Sequence, residues 1–378
     1  MERDQATRFI NDLLKLMVSR NGSDLFITAD FPPAIKVDGK ITKVSPQPLS
    51  PVHTMALARS IMNDRQTAEF ERTKEGNFAI SPPGIGRFRV NVFIQQGKVG
   101  LVLRVIPATL PTIDGLRIPQ CLKEISLGKR GLCILVGATG SGKSTTMAAM
   151  VDWRNENSYG HIVTIEDPIE FVHAHKNCII TQREVGLDTD SWGAALKNSL
   201  RQAPDVILMG ELRDRETMDH AIAFSETGHL CLATLHANNA NQALDRIINF
   251  FPEERRSQLL MDLSLNLRAL VSQRLIPKQD GKGRIAAVEV MINSPLISNM
   301  IFKGEVSEIK EIIKKSRNLG MQTFDQALYD LYEGGEITYE DALRNADSLN
   351  DLRLQIKLYS ERGKTTDLAS GTEGLSIL

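Results

Sequence analysis

Three scarcities narrow what this sequence can encode. Its 378 residues include only four cysteines, Cys121, Cys133, Cys178 and Cys231. They lie far apart without a CxxC pair, which argues against a disulfide scaffold and against a zinc ribbon. No run of about 18 apolar residues occurs, and the start, MERDQATRF, lacks the apolar centre of a secretory signal. We therefore expect a cytoplasmic protein without a transmembrane segment.

Net charge is also nearly absent. The 45 Lys and Arg residues almost balance the 46 Asp and Glu residues, which leaves a formal charge of -1. No overall positive field therefore recruits nucleic acid, although a local basic patch remains compatible with this balance. We predict no nucleic-acid partner. The 42% hydrophobic and 24% charged residues are typical of a globular protein with two or three domains.

One segment, HAHKNC, places His173, His175 and Cys178 close enough to suggest a metal site. A fourth ligand is not evident, and histidines in a loop beside a strand are usually structural or solvated. The structural interpretation is therefore favoured over the metal site.

The first third of the chain predicts a small α+β domain. A helical stripe of apolar residues ends at Asn21-Gly22, and short strands follow, two of them joined by an Asp38-Gly39 hairpin. A helical stretch near 55–70 precedes two alternating strands that end at Pro107. Three prolines within 107–119 then indicate a linker.

Beyond the linker, apolar runs alternate with helical segments, which is typical of a mostly parallel sheet covered by helices. From about Ser294 the pattern becomes helical and amphipathic. The last stretch, ERGKTTDLASGTEGLSIL, is predicted to be disordered.

The segment GATGSGKST matches the phosphate-loop pattern at Gly137, Gly142, Lys143 and Ser144, between an apolar strand and a helix. Backbone N–H groups of such a loop bind phosphates, the lysine neutralises their oxygens, and Ser144 can bind Mg²⁺. The alternative, a glycine-rich turn, leaves the lysine unexplained. We predict a nucleotide-binding site with Mg²⁺.

Acidic residues follow two further apolar strands. In DVILMGELRD the strand ends in Gly210 and Glu211, and Glu211 is the candidate for polarising the attacking water. In TIEDPIE, Glu166, Asp167 and Glu170 supply further acid at what we expect to be the same sheet edge. The alternative for each acid is a helix cap or a surface charge.

A third strand, in GHLCLATLHA, is flanked by His229 and His236. Either histidine could contact a γ-phosphate, although a lone histidine is more often packed or solvated.

Together, SDLFIT, RFRVNVF, GATGSGKSTT, TIEDPIEFVH, QREVG, GELRD, TGHLCLATLHANNA and GMQTFDQALYDLYEGG resemble the hexameric ATPases of secretion systems and type IV pili. Within that group the chain resembles the PilT/PilU family of retraction ATPases. The resemblance implies α/β architecture: a PAS-like α+β domain at 1–106, a linker at 107–119, a RecA-like P-loop core at 120–293, a helical segment at 294–358 and a disordered tail at 359–378.

The resemblance also implies roles for individual residues. The nucleotide-binding set is Gly137, Thr139, Gly140, Ser141, Gly142, Lys143, Ser144 and Thr145, with Ser144 on Mg²⁺. The catalytic set is Glu211, Glu166, Glu170, His229, His236 and an arginine. Of Arg87, Arg89 and Arg104, the last is preferred, against the alternative that alternating arginines form a solvated strand face.

Two segments depart from the PilT pattern and fit the PilU branch: RQAPD at 201–205 stands in place of REDPD, and LISN at 296–299 stands in place of AIRN, so that Ser298 occupies the position of the arginine. The helix that contains the second segment is tied to retraction in the family, so its change suggests dependence on a sister motor. The extension motors carry a tetracysteine zinc motif that this sequence lacks. We predict a homo-hexameric ATPase at the inner-membrane face, acting with a sister retraction ATPase and a membrane platform protein. The alternative is a coupling ring on the sister motor with little motor activity of its own.

Overall fold

A computed structural model describes residues 2–37, 39–106 and 109–362 of the chain. These residues form two compact units that divide between Thr109 and Leu110, and each unit is described by itself. Asp38 of the predicted hairpin, residues 107 and 108 of the predicted linker, and residues 363–378 of the predicted tail lie outside the described residues.

The first unit is an antiparallel sheet with three helices. Its strands follow the spatial order β3-β2-β1-β6-β5-β4. The elements in chain order are α1 (Arg3–Ser19), β1 (Asp24–Ile27), β2 (Ala34–Val37), β3 (Lys40–Lys43), α2 (Pro51–Ile61), α3 (Asp64–Thr73), β4 (Glu75–Ile80), β5 (Arg87–Gln95) and β6 (Lys98–Ile106).

Apolar spacing predicted α1 correctly, since Ile10, Leu13 and Met17 are buried against the sheet. The single helix expected near 55–70 is instead two helices, α2 and α3. The second begins where the Asn63 side chain accepts a hydrogen bond from the backbone N–H of Gln66, so a capping residue starts a new helix. Strand β4 was not predicted.

The second unit contains a seven-stranded sheet, ordered β13-β12-β7-β11-β10-β8-β9. Its elements are α4 (Cys121–Ser126), β7 (Gly131–Val136), α5 (Lys143–Asn157), β8 (Gly160–Glu166), β9 (Cys178–Glu184), α6 (Trp192–Ser199), β10 (Val206–Met209), α7 (Arg215–Glu226), β11 (Leu230–Leu235), α8 (Ala240–Asn249), α9 (Arg256–Asn266), β12 (Leu267–Pro277), β13 (Arg284–Ile292), α10 (Pro295–Lys303), α11 (Ile309–Lys315), α12 (Phe324–Glu333), α13 (Tyr339–Arg344) and α14 (Leu349–Tyr359).

The central strands are buried along their whole length because helices cover both faces of the sheet. Every residue of β7, β10 and β11 is buried, and the two faces contribute to separate apolar cores. The expected parallel sheet is confirmed for β7 to β12, whereas β13 runs antiparallel to β12. A third core lies between this β12–β13 hairpin and the last helices.

The strand order places functional loops side by side. Strands β7, β11, β10 and β8 are parallel neighbours, so their carboxyl ends meet at one edge of the sheet. The segments that follow them therefore adjoin in the same order, which differs from their order in the chain. We call this edge the phosphate edge.

Candidate active site

The phosphate loop connects β7 to α5 at the phosphate edge. Gly140 and Gly142 have left-handed backbone angles, with φ of 77° and 89°, which side chains disfavour. Gly137 is required for a different reason: a Cβ there would lie 2.3 Å from the hydroxyl of Ser141 and 2.8 Å from the carbonyl of Gln273. The loop can therefore close tightly only because glycines occupy these positions.

Lys143, the first residue of α5, lies inside this loop. Its Nζ donates hydrogen bonds to the carbonyls of Gly137 at 2.8 Å and Ala138 at 3.0 Å. Burial lowers the pKa of Lys143, while the nearby Glu211 and Glu170 oppose that change. The ammonium group is thus held among carbonyls that form the phosphate-binding turn.

The loop borders a cavity of about 220 Å³ at the phosphate edge. Its walls bring together most of the predicted site residues: Thr139, Gly140, Lys143, Ser144, Glu166, Glu170, Glu211 and His236. Gly142 and Thr145 face a second cavity of about 450 Å³ on the other side of the α5 start, where Leu116 and Leu275 contribute apolar walls. The two cavities meet the phosphate loop from both sides.

Both carboxylate oxygens of Glu211 are held by neighbouring groups. Oε1 lies 3.2 Å from Nε2 of His236, and Oε2 accepts a hydrogen bond from Nε of Arg213 at 2.8 Å. Burial, followed by the charge of Lys143, lowers the pKa of His236, which favours the neutral imidazole. The hydrogen bond with Glu211 is the first cause that raises the pKa of Arg213. Glu211 therefore has a fixed direction in the cavity.

Gly210 explains how Glu211 reaches this position. A Cβ at residue 210 would lie 3.2 Å from the carbonyl of Ile165 and 3.3 Å from the ring of Trp192. A side chain here would therefore require the Ile165 carbonyl and the indole to shift by a few tenths of an ångström. The glycine thus allows close packing just before the acid.

Glu166 and Glu170 differ in their surroundings. Burial raises the pKa of Glu166, whose Oε1 accepts hydrogen bonds from the Thr164 hydroxyl at 2.6 Å and from Gln182 Nε2 at 3.2 Å. Glu170 is exposed on the cavity wall. Neighbouring side chains therefore hold Glu166 in place, whereas Glu170 is open to solvent.

Two predicted catalytic residues lie elsewhere. His229 precedes β11 at the opposite end of the strand from His236, where its carbonyl accepts a hydrogen bond from Gly131 and its Nδ1 lies 3.0 Å from the Thr227 hydroxyl. His229 therefore lies at the far end of β11 from the phosphate loop of its own chain, and its predicted contact with a γ-phosphate stays a prediction. Arg104 belongs to the first unit, where its Nε donates to Asp24 at 2.7 Å. Its predicted place near the nucleotide stays a prediction.

The structure adds two residues to the site, Arg213 and Gln273, that the sequence motifs do not single out. Arg213 bridges Glu211 and Asp167, with Nη1 3.5 Å from the Asp167 carboxylate, and its guanidinium lies 5.5 Å from the ring centre of Trp192. The one signal in the sequence was the spacing of Arg213, two residues after Glu211. Gln273 donates from Nε2 to the Ser141 carbonyl at 2.8 Å, and nothing local in the sequence predicts that contact.

The donor set fits Mg²⁺ held together with phosphates. Ser144 offers a hydroxyl, and the carboxylates on the cavity wall are hard oxygen donors of the kind Mg²⁺ prefers. Across residues 2–37, 39–106 and 109–362, no three His, Cys, Asp or Glu side chains converge to hold a metal by themselves.

The suspected ligands of the HAHKNC segment make separate contacts. His173 is buried, and its backbone N–H donates to Gln182 Oε1 at 2.8 Å. Nδ1 of His175 accepts from the N–H of Ile180 at 3.1 Å, and Cys178 begins β9. These contacts favour the structural interpretation. In the described part of the chain, no helix is long and apolar enough to cross a membrane.

Known proteins resemble this chain over most of its length. The family profile described as "Type II/IV secretion system protein" matches residues 2–344. The "Type IV pilus ATPase PilU" of Pseudomonas aeruginosa is 61% identical over 365 residues, which are 97% of this chain and 95% of that protein. The "Type IV pilus retractation ATPase PilT" of the same organism is 43% identical over 337 residues, 89% of this chain and 98% of that protein.

A solved structure shows the same fold. The crystal structure of the pilus retraction motor PilT with bound ADP matches with a TM-score of 0.86 and 40% identity, covering 91% of this chain and 99% of that chain. The predicted α/β fold class is thereby confirmed.

Proposed function

Because this chain belongs to the family of type II/IV secretion system proteins, we propose that it is an ATPase motor of type IV pilus retraction, accessory to a sister retraction ATPase. The resemblance first seen in the motifs is confirmed by these relatives. The proposal that this chain hydrolyses ATP is supported above all by the position of Glu211. This residue is held between His236 and Arg213 on the wall of the phosphate-loop cavity.

The phosphate loop would bind the β- and γ-phosphates of ATP. Its backbone N–H groups and the start of α5 favour negative charge, and Lys143 neutralises phosphate oxygens. Ser144 would hold Mg²⁺, which supplies further positive charge to these oxygens when it is bound. The second cavity, with Leu116 and Leu275 on its walls, has the position and apolar character to take the base and ribose.

Glu211 would orient the attacking water and take up its proton. A carboxylate with both oxygens engaged points in one direction, and a positioned base contributes about 10²-fold or more to such a reaction. His236 would keep Glu211 in place from the side of the phosphate loop. Glu166 and Glu170 would supply further acid, and the parts played by Arg104 and His229 in a ring of six subunits remain predictions.

The chemical part of the proposal is tested with Glu211→Gln. This variant keeps the side-chain shape but loses the base, so we expect nucleotide binding to persist while hydrolysis falls by about 10²-fold or more. Lys143→Ala is the matched variant on the opposite wall and should lose affinity instead. ATP turnover by Glu211→Gln at the wild-type rate would disprove the assignment and direct attention to Glu166 and Glu170.

The accessory role is supported by α10. Pro295 begins this helix, and Ile297 and Ile301 are buried, whereas Leu296 is 51% exposed. Ser298 donates a hydrogen bond to the Ser264 carbonyl at 2.7 Å. A serine there cannot make the charged contacts of an arginine.

Pilus retraction measured in cells with and without the sister motor tests this role. Retraction that requires the sister motor and speeds up with an active copy of this chain supports it. Full retraction without the sister would contradict it. An unchanged contribution from the Glu211→Gln variant would instead favour the coupling ring.

A further inference from the structure

The loop 236–240, which joins β11 to α8, carries His236 and is held from the β12–β13 hairpin. Nη2 of Arg274 donates to the carbonyl of Asn238 at 3.2 Å, and the N–H of Ala240 donates to Oε1 of Glu289 at 2.8 Å. Asn238, which is held from β12, and Ala240, which is held from β13, thus lie two and four positions after His236. The position of the imidazole depends on both strands.

Arg274 is in turn held by the helical part of the unit. Nη1 donates to the Asn345 carbonyl at 2.6 Å, and Nη2 donates to Asp347 at 2.7 Å. The guanidinium carbon lies 4.0 Å from the ring centre of Phe324 on α12. Asp347 also accepts from Lys310 at 3.2 Å. A planar guanidinium with several donors can make these contacts together, and a lysine cannot.

The neighbouring residue on β12 serves a different loop. Gln273 donates from Nε2 to the Ser141 carbonyl at 2.8 Å and accepts from the Thr146 hydroxyl at 2.7 Å. Successive strand residues point to opposite faces of the sheet, so these two adjacent side chains contact different loops. Gln273 holds the phosphate loop, and Arg274 holds the loop of His236.

We propose that Arg274 is a positioning residue for hydrolysis, which fixes the His236 loop to the C-terminal helices and thereby sets the contact of His236 with Glu211. The proposal rests on the ATPase function proposed above. Since Arg274 does not contact the phosphate loop, its loss should affect turnover and spare nucleotide affinity. Loss of Gln273 should do the reverse. Movement of α12 or of the segment around Asp347 would then change the hydrolysis rate through Arg274.

The test measures kcat for ATP and the Kd of a non-hydrolysable ATP analogue on the full chain. For Arg274→Ala we expect kcat to fall about tenfold, the size of one lost hydrogen bond from a charged group, with Kd within about twofold. Gln273→Leu should weaken binding with a smaller change in kcat. Arg268→Ala, at the other end of β12 and exposed, is the matched control and should change neither.

Arg274→Lys is the second variant, for the case in which Arg274→Ala fails to fold, because lysine keeps the positive charge beside Asp347. It should fold like the wild type and still lose part of kcat. An Arg274→Lys variant with normal kcat, or an Arg274→Ala variant that loses affinity as much as turnover, would overturn the inference. A wild-type chain without ATPase activity would instead refute the proposed function, so the two failures are distinguishable.

Discussion

The two ends of β11 carry the same residue type in different surroundings. His236, at the carboxyl end, lies 3.2 Å from Glu211 on the wall of the phosphate-loop cavity. His229, before the amino end, lies near Thr227 and the carbonyl of Phe224 in the turn after α7. They are seven residue steps apart, and at about 3.3 Å per step this places the two histidines roughly 23 Å from each other. The end of β11 at which each histidine lies therefore determines whether it is near the phosphate-loop cavity.

The parallel sheet explains this difference. Chain segments that leave the carboxyl ends of parallel strands gather at one edge and form the site, whereas segments that enter the strands serve as connections. Three experiments can break or sharpen the comparison between the two ends.

The largest effect is expected at His236. His236→Ala removes the imidazole beside Glu211, so we expect kcat for ATP to fall by about 10-fold to 100-fold, as for a lost hydrogen bond to a charged group. Steady-state ATPase assays measure this, with analogue binding as the control for an intact phosphate loop. His236→Gln should restore part of the rate, because an amide can still reach Glu211. Wild-type turnover by the alanine variant would remove His236 from the site.

The next largest effect is expected at Glu289. Its carboxylate accepts the hydrogen bond from Ala240 that holds the loop after the carboxyl end of β11. Burial raises the pKa of Glu289 to about 7, above its ordinary value of 4.5. The Glu289 carboxyl therefore binds its proton more tightly in the folded state than in the unfolded state. The stability that this protonation contributes is complete below the unfolded pKa and is lost as the pH rises through about 7. Glu289→Gln abolishes that dependence.

We expect the free energy of unfolding of Glu289→Gln, relative to the wild type, to rise by about 2 kcal/mol between about pH 5 and about pH 8. Chemical denaturation at both pH values measures it, and Glu254→Gln, an exposed acid, is the control. If the free energy of unfolding changed with pH in the same way for the wild type and for Glu289→Gln, the Glu289 carboxyl would not be the source of this pH dependence.

The smallest effect is expected at His229. His229→Ala removes contacts in the turn before β11 and none in the phosphate-loop cavity, so kcat and analogue affinity of the purified chain should change by no more than about threefold. The same assays as for His236→Ala apply. A fall in kcat as large as that of His236→Ala would show that His229 reaches the nucleotide of another chain in an assembly.

Much of the site could be predicted because its signals are local. The phosphate loop needs glycines and a lysine at set spacings, and a strand that ends in Gly210 and Glu211 is visible in a few letters. The contact of Arg213 with Glu211 could not be predicted although the two residues are only two positions apart. Sequence spacing alone does not show that the Arg213 side chain points toward the Glu211 carboxylate. Gln273 and Arg274 could not be found in this way, because their partners lie 132 and 36 or more residues away along the chain.

By itself, the sequence determined many of the elements: the buried strands of the second unit from their apolar runs, α1 from its apolar spacing and its end at Asn21-Gly22, and the phosphate loop from its glycines. Hydrophobic periodicity and turn chemistry act over a few residues, so they can be read without the fold. Only the tertiary structure decided the strand order. By inserting β11 between β7 and β10, it placed His236 between Lys143 and Glu211 and left His229 at the far end. Pairing between distant strands depends on how whole surfaces pack, and no local pattern encodes it.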